Sequence, residues 1–251
     1  MVNARQAKSA REKAAEMRAE AARREARGRA IAIVSAVVAA IVIAVGAGII
    51  IQIAKHNQDA KTQAATAPPA NLTNDGFVVG KADAKVTIQI WEDFQCPACQ
   101  NFESLNATQL AKWAADGTAK VEYHPVAILD RYSTTSYSTR ALNAAAAVID
   151  SKPSVFVAFH ALLYQNQPAE NSAGLTDAQL VDYAVQAGAD KTAVESAVTS
   201  QKFKSWTVTA TDQFSKKGFT GTPTVVVNGK QLGDDHSAAK LKAAVDAAAK
   251  G

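Results

Sequence analysis

The chain has 251 residues, a formal net charge of +4 and only two cysteines. With 48% hydrophobic and 20% charged residues, it is neither a disordered polar chain nor a disulfide-framework peptide. The charge is uneven: residues 1–29 hold nine Lys/Arg against four Glu, a local +5, so the rest of the chain sums to −1.

Alanine and charged residues, with i,i+4 pairs such as Glu20–Arg24, predict an exposed helix in that tail. A basic tail can serve nucleic acid, but this one runs directly into an apolar segment. We therefore read it as cytoplasmic and lipid-facing, with no nucleic-acid partner. Residues 30–53 carry no charge, and only Ser35 and Gln52 are polar. Roughly 20 apolar residues cross a bilayer core, so this segment predicts one transmembrane helix. The positive-inside rule places everything beyond Lys55 outside the cytoplasm. A cleaved signal peptide would show an apolar region of about 7–15 residues with a small-x-small site directly behind it. Here Ala65-Thr66-Ala67 lies well past the end of the run, so the segment reads as an uncleaved anchor. Residues 54–75, rich in Ala, Gln and Thr with Pro68-Pro69, read as a linker.

Residues 76–251 are enough for one domain with its own core. Val86, Thr87, Ile88 and Ile90 predict a buried strand over 86–91, and Phe102, Leu105, Leu110 and Trp113 predict a helix from Pro97 onward. Cys96 then falls at a strand-to-helix junction, with Pro97 at the first helical position, where a missing N–H costs nothing. A sulfur at a helix N-terminus meets unpaired N–H groups and the positive end of the macrodipole, and both favour the thiolate. Cys99 lies three residues on along the same face, so Cys96 is expected to be the exposed, attackable sulfur and Cys99 the buried resolving one. A structural disulfide gains little from so small a loop. Zinc needs four ligands, and no second C-x-x-C or His-x-His is present, while His56, His124, His160 and His236 are scattered. Two unrelated buried cysteines would not share this spacing around a proline. The redox reading stands, with no metal and no cofactor.

After Gly117, residues 119–124 predict a second strand closed by Pro125; with the helix between, this is a βαβ unit with parallel strands. Residues 140–214 are mostly helical in pattern, and their aromatics are read as core. Thr222-Pro223-Thr224-Val225-Val226-Val227-Asn228-Gly229 predicts a strand and a hairpin with a type I′ turn. Ser237 caps a closing helix whose Leu241 and Val245 face inward.

A strand, C-x-x-C at a helix start, a helical insert, Thr-Pro before a hairpin and a final helix together resemble the thioredoxin fold. More closely, the chain resembles the DsbA/BdbD-like extracytoplasmic thiol–disulfide oxidoreductases. The resemblance is carried by Asp93-Phe94-Gln95-Cys96-Pro97-Ala98-Cys99, Phe102-Glu103, and Gly221-Thr222-Pro223-Thr224 with Asn228-Gly229. It implies an α/β thioredoxin fold with a helical insert at about 135–205, here preceded by the single transmembrane helix. It also implies Cys96 and Cys99 as the redox-active pair, Pro97 and Ala98 as the dipeptide that tunes them, a cis Pro223, and Thr222 pairing with substrate backbone. Two positions depart from the pattern. The buried acid expected six residues before the first cysteine is replaced by Ile90, which leaves Glu92 and Asp93 as candidates for proton handling. The dipeptide is Pro-Ala rather than Pro-His.

The function expected is the introduction of disulfides into exported proteins, at the cell membrane, with a quinone-linked membrane partner for reoxidation. Two alternatives remain open at this point. One is a thiol reductase of exported proteins or of cytochrome c maturation; the other is a non-catalytic module that holds an exported client.

Overall fold

In the computed structural model of the protein, residues 67–72 and 76–250 are described. The basic tail (1–29), the apolar run (30–53) and linker residues 54–66 and 73–75 lie outside them. Among the described residues no helix is long and apolar enough to cross a membrane.

The elements in order are β1 (Phe77–Val79), β2 (Val86–Glu92), α1 (Pro97–Asp116), β3 (Ala119–Pro125), α2 (Tyr137–Ser151), α3 (Phe156–Gln165), α4 (Asp177–Gln186), α5 (Lys191–Thr199), α6 (Lys204–Lys216), β4 (Thr224–Val227), β5 (Lys230–Gln231) and α7 (Ala238–Ala248). The five strands form one mixed sheet in the order β1-β3-β2-β4-β5. The β2–β3 pair is parallel, joined by α1, and the other pairs are antiparallel. β2 is central: Ile88 lies opposite Val121 and Val227, and Ile90 opposite Tyr123 and Val225. Both isoleucines are fully buried, each contributing about 1.5–3 kcal/mol relative to exposure.

Beyond Ile90 the in-out alternation stops, and every residue through Cys96 is buried. The end of the strand is therefore enclosed on both faces, because the helices between β3 and β4 cover it. α2 is the middle of that block and packs against α3, α4, α5 and α6. Its run Ala144-Ala145-Ala146-Ala147 carries only methyl side chains, so neighbours can approach closely, and it is buried nearly all round, as a central helix should be. Asn143 ties the block shut: its Oδ1 accepts the Phe203 N–H at 2.8 Å and its Nδ2 donates to the Ala197 carbonyl at 3.3 Å. Two helices of the block begin at side-chain caps, a Thr176/Gln179 capping box on α4 and Asp190 on α5.

Several details differ from the sequence expectations. β1 was not foreseen; it is three residues long and pairs only with β3. Leu105 is 52% exposed, and the buried face of α1 is completed by Cys99, Glu103 and Asn106 instead. Part of the segment read as linker is tied down: Ala70 N–H donates to Asp150 at 3.1 Å and Asn71 Nδ2 to the Ile149 carbonyl at 2.9 Å, at the end of α2. The hairpin turn is as expected, with positive φ at Asn228 (44°) and Gly229 (80°).

Candidate active site

Cys96 is the N-cap of α1, in extended conformation (φ −78°, ψ 117°) and without a side-chain cap bond of its own. Pro97 follows as the first helical residue, and Pro97 and Ala98 form an exposed lip. The N–H groups of Cys99 and Gln100 bond back to the Cys96 carbonyl at 3.0 and 3.1 Å, which closes the first turn. Cys99 is completely buried, and Cys96 is 7% exposed. The order of accessibility is the one expected, but Cys96 is more enclosed than a helix start alone implies. Thr222 covers it from the far end of the chain, the Cys96 thiol donating to the Thr222 carbonyl at 3.2 Å. The Thr222–Pro223 peptide is cis. Cys96, Cys99, Thr222 and Pro223 thus meet beyond the end of the central strand β2 and the start of its neighbour β4, although 126 residues separate Cys96 from Thr222.

The two sulfurs sit in opposite electrostatic settings. A hydrogen bond from the Cys99 thiol, aided by Thr222 and the backbone N–H groups of Cys99 and Ala98, lowers Cys96 from 9.0 to about 6 against the effect of burial. Burial, together with the neighbouring Cys96 sulfur, pushes the Cys99 thiol well above its ordinary value.

The carboxylates of the preceding strand are also buried. Asp93 accepts hydrogen bonds from the Gln95 N–H (2.9 Å), the Leu129 N–H (3.0 Å) and the Ser138 hydroxyl (2.7 Å). Even so, burial raises it to about 7. Glu92 is fully enclosed, its Oε1 at 2.6 Å from His160 Nε2 and its Oε2 without a hydrogen-bond partner. Ile90 simply packs in the core.

Four residues at this site were given no role there from the sequence, although Glu103 was among those carrying the resemblance and His160 among the scattered histidines. Gln167, in the loop after α3, donates to the carbonyls of Phe94 (3.0 Å) and Cys96 (2.9 Å), holding the C-x-x-C turn from outside. Ser138 on α2 holds Asp93. Glu103 on α1 and His160 on α3 join Glu92 in a buried trio whose ligand-type atoms lie within 4.8 Å of one another. His160 uses one ring nitrogen on Glu92 and turns the other toward Glu103, at 3.9 Å. His160 thus sits between two carboxylates, and all three groups are buried.

A thioredoxin family model matches residues 72–247. BdbD from Bacillus subtilis superposes with a TM-score of 0.64 at 24% identity, covering 74% of this chain and 98% of that one, a likeness of fold. DsbA from Mycobacterium tuberculosis superposes with a TM-score of 0.59 at 31% identity, covering 70% and 98%. The disulfide bond oxidoreductase DsbG of the same organism gives 0.61 at 29%, covering 72% and 95%. Among curated proteins, the serine/threonine-protein kinase PknE of M. tuberculosis is 36% identical over 135 residues, 52% of this chain and 24% of the kinase. The chain thus spans about a quarter of the length of the curated relatives it matches. Fold, neighbours and paired cysteines together define a thiol–disulfide oxidoreductase. The chain belongs to the thioredoxin family.

Proposed function

We propose that the protein introduces disulfides into exported proteins through Cys96 and Cys99, held at the cell membrane by residues 30–53 with tail 1–29 in the cytoplasm. The observation that carries this reading is the asymmetry of the pair, with Cys96 favoured as thiolate and Cys99 as thiol. Stabilising the reduced form makes the disulfide a better oxidant. Outside the cytoplasm disulfides persist, which is where a donor of them belongs.

In the forward direction a client thiolate attacks Cys96 Sγ of the Cys96–Cys99 disulfide. The client–Cys96 bond forms, the Cys96–Cys99 bond breaks, and the electron pair leaves on Cys99. A second client thiolate then attacks the client sulfur of the mixed disulfide, and Cys96 departs as the thiolate that its surroundings favour. Thr222 offers backbone to the client beside Cys96, and the Pro97–Ala98 lip borders the approach. The reduced pair passes its two electrons to a quinone-linked partner in the same membrane.

The test is capture. With Cys99→Ala in the full chain, the mixed disulfide has no resolving sulfur, so exported proteins should accumulate on Cys96 and be released by dithiothreitol. Cys96→Ser should capture none and leave a reduced client unoxidised. If Cys96→Ser still oxidised the client, the mechanism through Cys96 would be overturned; if Cys99→Ala trapped nothing, a module that merely holds clients would be the better reading.

A further inference from the structure

The buried trio of Glu92, Glu103 and His160 holds two acids and one base, and among the described residues no Lys or Arg forms an ion pair with either acid. Burial alone would depress His160, but the facing Glu92 and Glu103 carboxylates outweigh it and hold the imidazolium. Glu92 takes the close contact, its Oε1 at 2.6 Å from His160 Nε2, while Glu103 Oε2 stands 3.9 Å from Nδ1. Glu103 is the acid left short of positive charge. Its Oε1 has no hydrogen-bond partner, and burial pushes its carboxyl up to about 7, against the attraction of His160. A second cation brought to this acid would restore the balance.

We propose that the groove between α1 and α3, with Glu103 at its floor, receives a lysine or arginine side chain of the client polypeptide while the client cysteine reacts at Cys96. This deepens the reading of exported proteins as substrates, and rests on it. The groove has a volume of about 470 Å³, within the roughly 300–1,000 Å³ of ligand pockets. Among the described residues that line it, Glu103 alone is charged, 7% exposed beside Gln100, Asn101 and Ser104 of α1 and facing Ala161 and Tyr164 of α3. A client carboxylate would meet only like charge there.

The groove stands where a neighbouring client residue can reach it. The Gln100 N–H bonds to the Cys96 carbonyl at 3.1 Å, so the groove opens one helical turn behind the reactive sulfur. Gln100 Nε2 donates to the Tyr164 carbonyl at 2.7 Å, which ties the two walls together and leaves its Oε1 as an acceptor. From Cys96 to Glu103 is roughly 10 Å along the helix axis. An extended client advances about 3.3 Å per residue, so a side chain roughly two to four residues from the client cysteine reaches the acid. The aliphatic stem of lysine or arginine then lies along Ala161 and Tyr164, and its charge meets the carboxylate where water screens less than at an open surface.

The titratable groups facing Glu103 are Glu92 from β2, Tyr123 from β3, and His160 and Tyr164 from α3. Neither tyrosine ionises near neutrality, since burial raises both well above the ordinary tyrosine range, and Glu92 is engaged by His160. Glu103 is therefore the group that switches. Its attraction for a basic side chain should be full above pH 7 and fade below it as the carboxylate takes up a proton.

The experiment compares two reduced peptides of two cysteines each that differ at one position about three residues from a cysteine, lysine in one and glutamine in the other, placed on either side in turn. Stopped flow gives the rate at which each reduces the disulfide of the full chain in detergent. Division by the same peptide's rate with glutathione disulfide removes the effect of lysine on the peptide's own thiols. Wild type should favour the lysine peptide by about fivefold or more at pH 8, and the preference should fall toward unity at pH 6. Glu103→Gln should abolish it. Ala161→Lys, which brings positive charge to the groove from α3 and leaves Glu103 in place, should abolish it as well, so the result does not hang on the folding of one variant. Equal corrected rates in wild type, or a lysine preference unchanged in both variants, would overturn the proposal. So would a chelator that changes the wild-type ratio, which would assign the trio to a metal ion. If dithiothreitol reduced the chain and neither peptide did, the reading of protein clients would fail. Isothermal titration with the same peptides, serine replacing cysteine, would still decide the groove: tighter binding of the lysine peptide is expected, and equal or undetectable binding would overturn it.

Discussion

Cys96 and Cys99 share one helical turn, yet their acidities are driven apart because one sulfur donates to the other. The largest influence lowering Cys96 is the Cys99 thiol, ahead of Thr222 and the helix N–H groups. Two outcomes follow for the thiolate absorbance of the reduced chain. Wild type should titrate with a midpoint near 6, and Cys99→Ala should shift that midpoint upward toward 9.0. An unchanged midpoint in Cys99→Ala would mean that the helix terminus alone sets it. At this scale the sequence was most informative: C-x-x-C behind a strand and before a proline is a local pattern. Local patterning does not show which distant side chains complete the site. Glu103 lies four residues after Cys99 on an otherwise buried face, and that misplaced charge was a usable signal. His160 gave a fainter one, lodged among Phe156, Phe159 and Leu163 on the apolar side of α3. Gln167 gave none, because its role depends on where a loop passes.

At the scale of elements, the decisive feature is that the end of β2 is enclosed by the helical block. Asp93 joins the two parts, taking the Ser138 hydroxyl from α2 and the Leu129 N–H from the segment before it. Ser138→Ala removes one donor from a buried carboxylate, so it should destabilise by about 1–3 kcal/mol in chemical denaturation and raise Asp93 further. A second contact is tested at β1. An added Cβ at Gly76 would lie 2.5 Å from the His124 ring, so Gly76→Ala should cost about 1–3 kcal/mol through overpacking. A neutral effect in either variant would mean that β1 or the block gives way without loss. The helices of the block were legible, since the pattern over residues 140–214 is mostly helical. β1 was not: three residues cannot display a period of two, and its pairing with β3 spans more than 40 residues. Leu105 misled for the opposite reason, fitting the helical spacing while lying off the buried stripe.

Across the whole molecule, these protonation preferences become a dependence of stability on pH and redox state. The folded value of Cys96, about 6, lies below its ordinary 9.0, so its stabilisation is full above pH 9 and is lost as pH falls through 6. The oxidised chain has no such thiol. The stability of the reduced chain relative to the oxidised one should therefore grow between pH 6 and 9, by on the order of 4 kcal/mol. Asp93 and Glu103 act the other way in both forms. Their folded values, about 7, exceed the ordinary 3.8 and 4.5, so their contribution is present in acid and lost as pH rises from about 4 to 7. Urea midpoints of both redox forms across this range check the two slopes separately.

The same linkage leads to the most direct test, the reduction potential of the Cys96–Cys99 couple in the full chain, equilibrated against glutathione. A disulfide donor with a stabilised Cys96 thiolate should be more oxidising than about −180 mV, the level of protein disulfide isomerase. A value near thioredoxin's roughly −270 mV would contradict that role and make the protein a reductant of its clients.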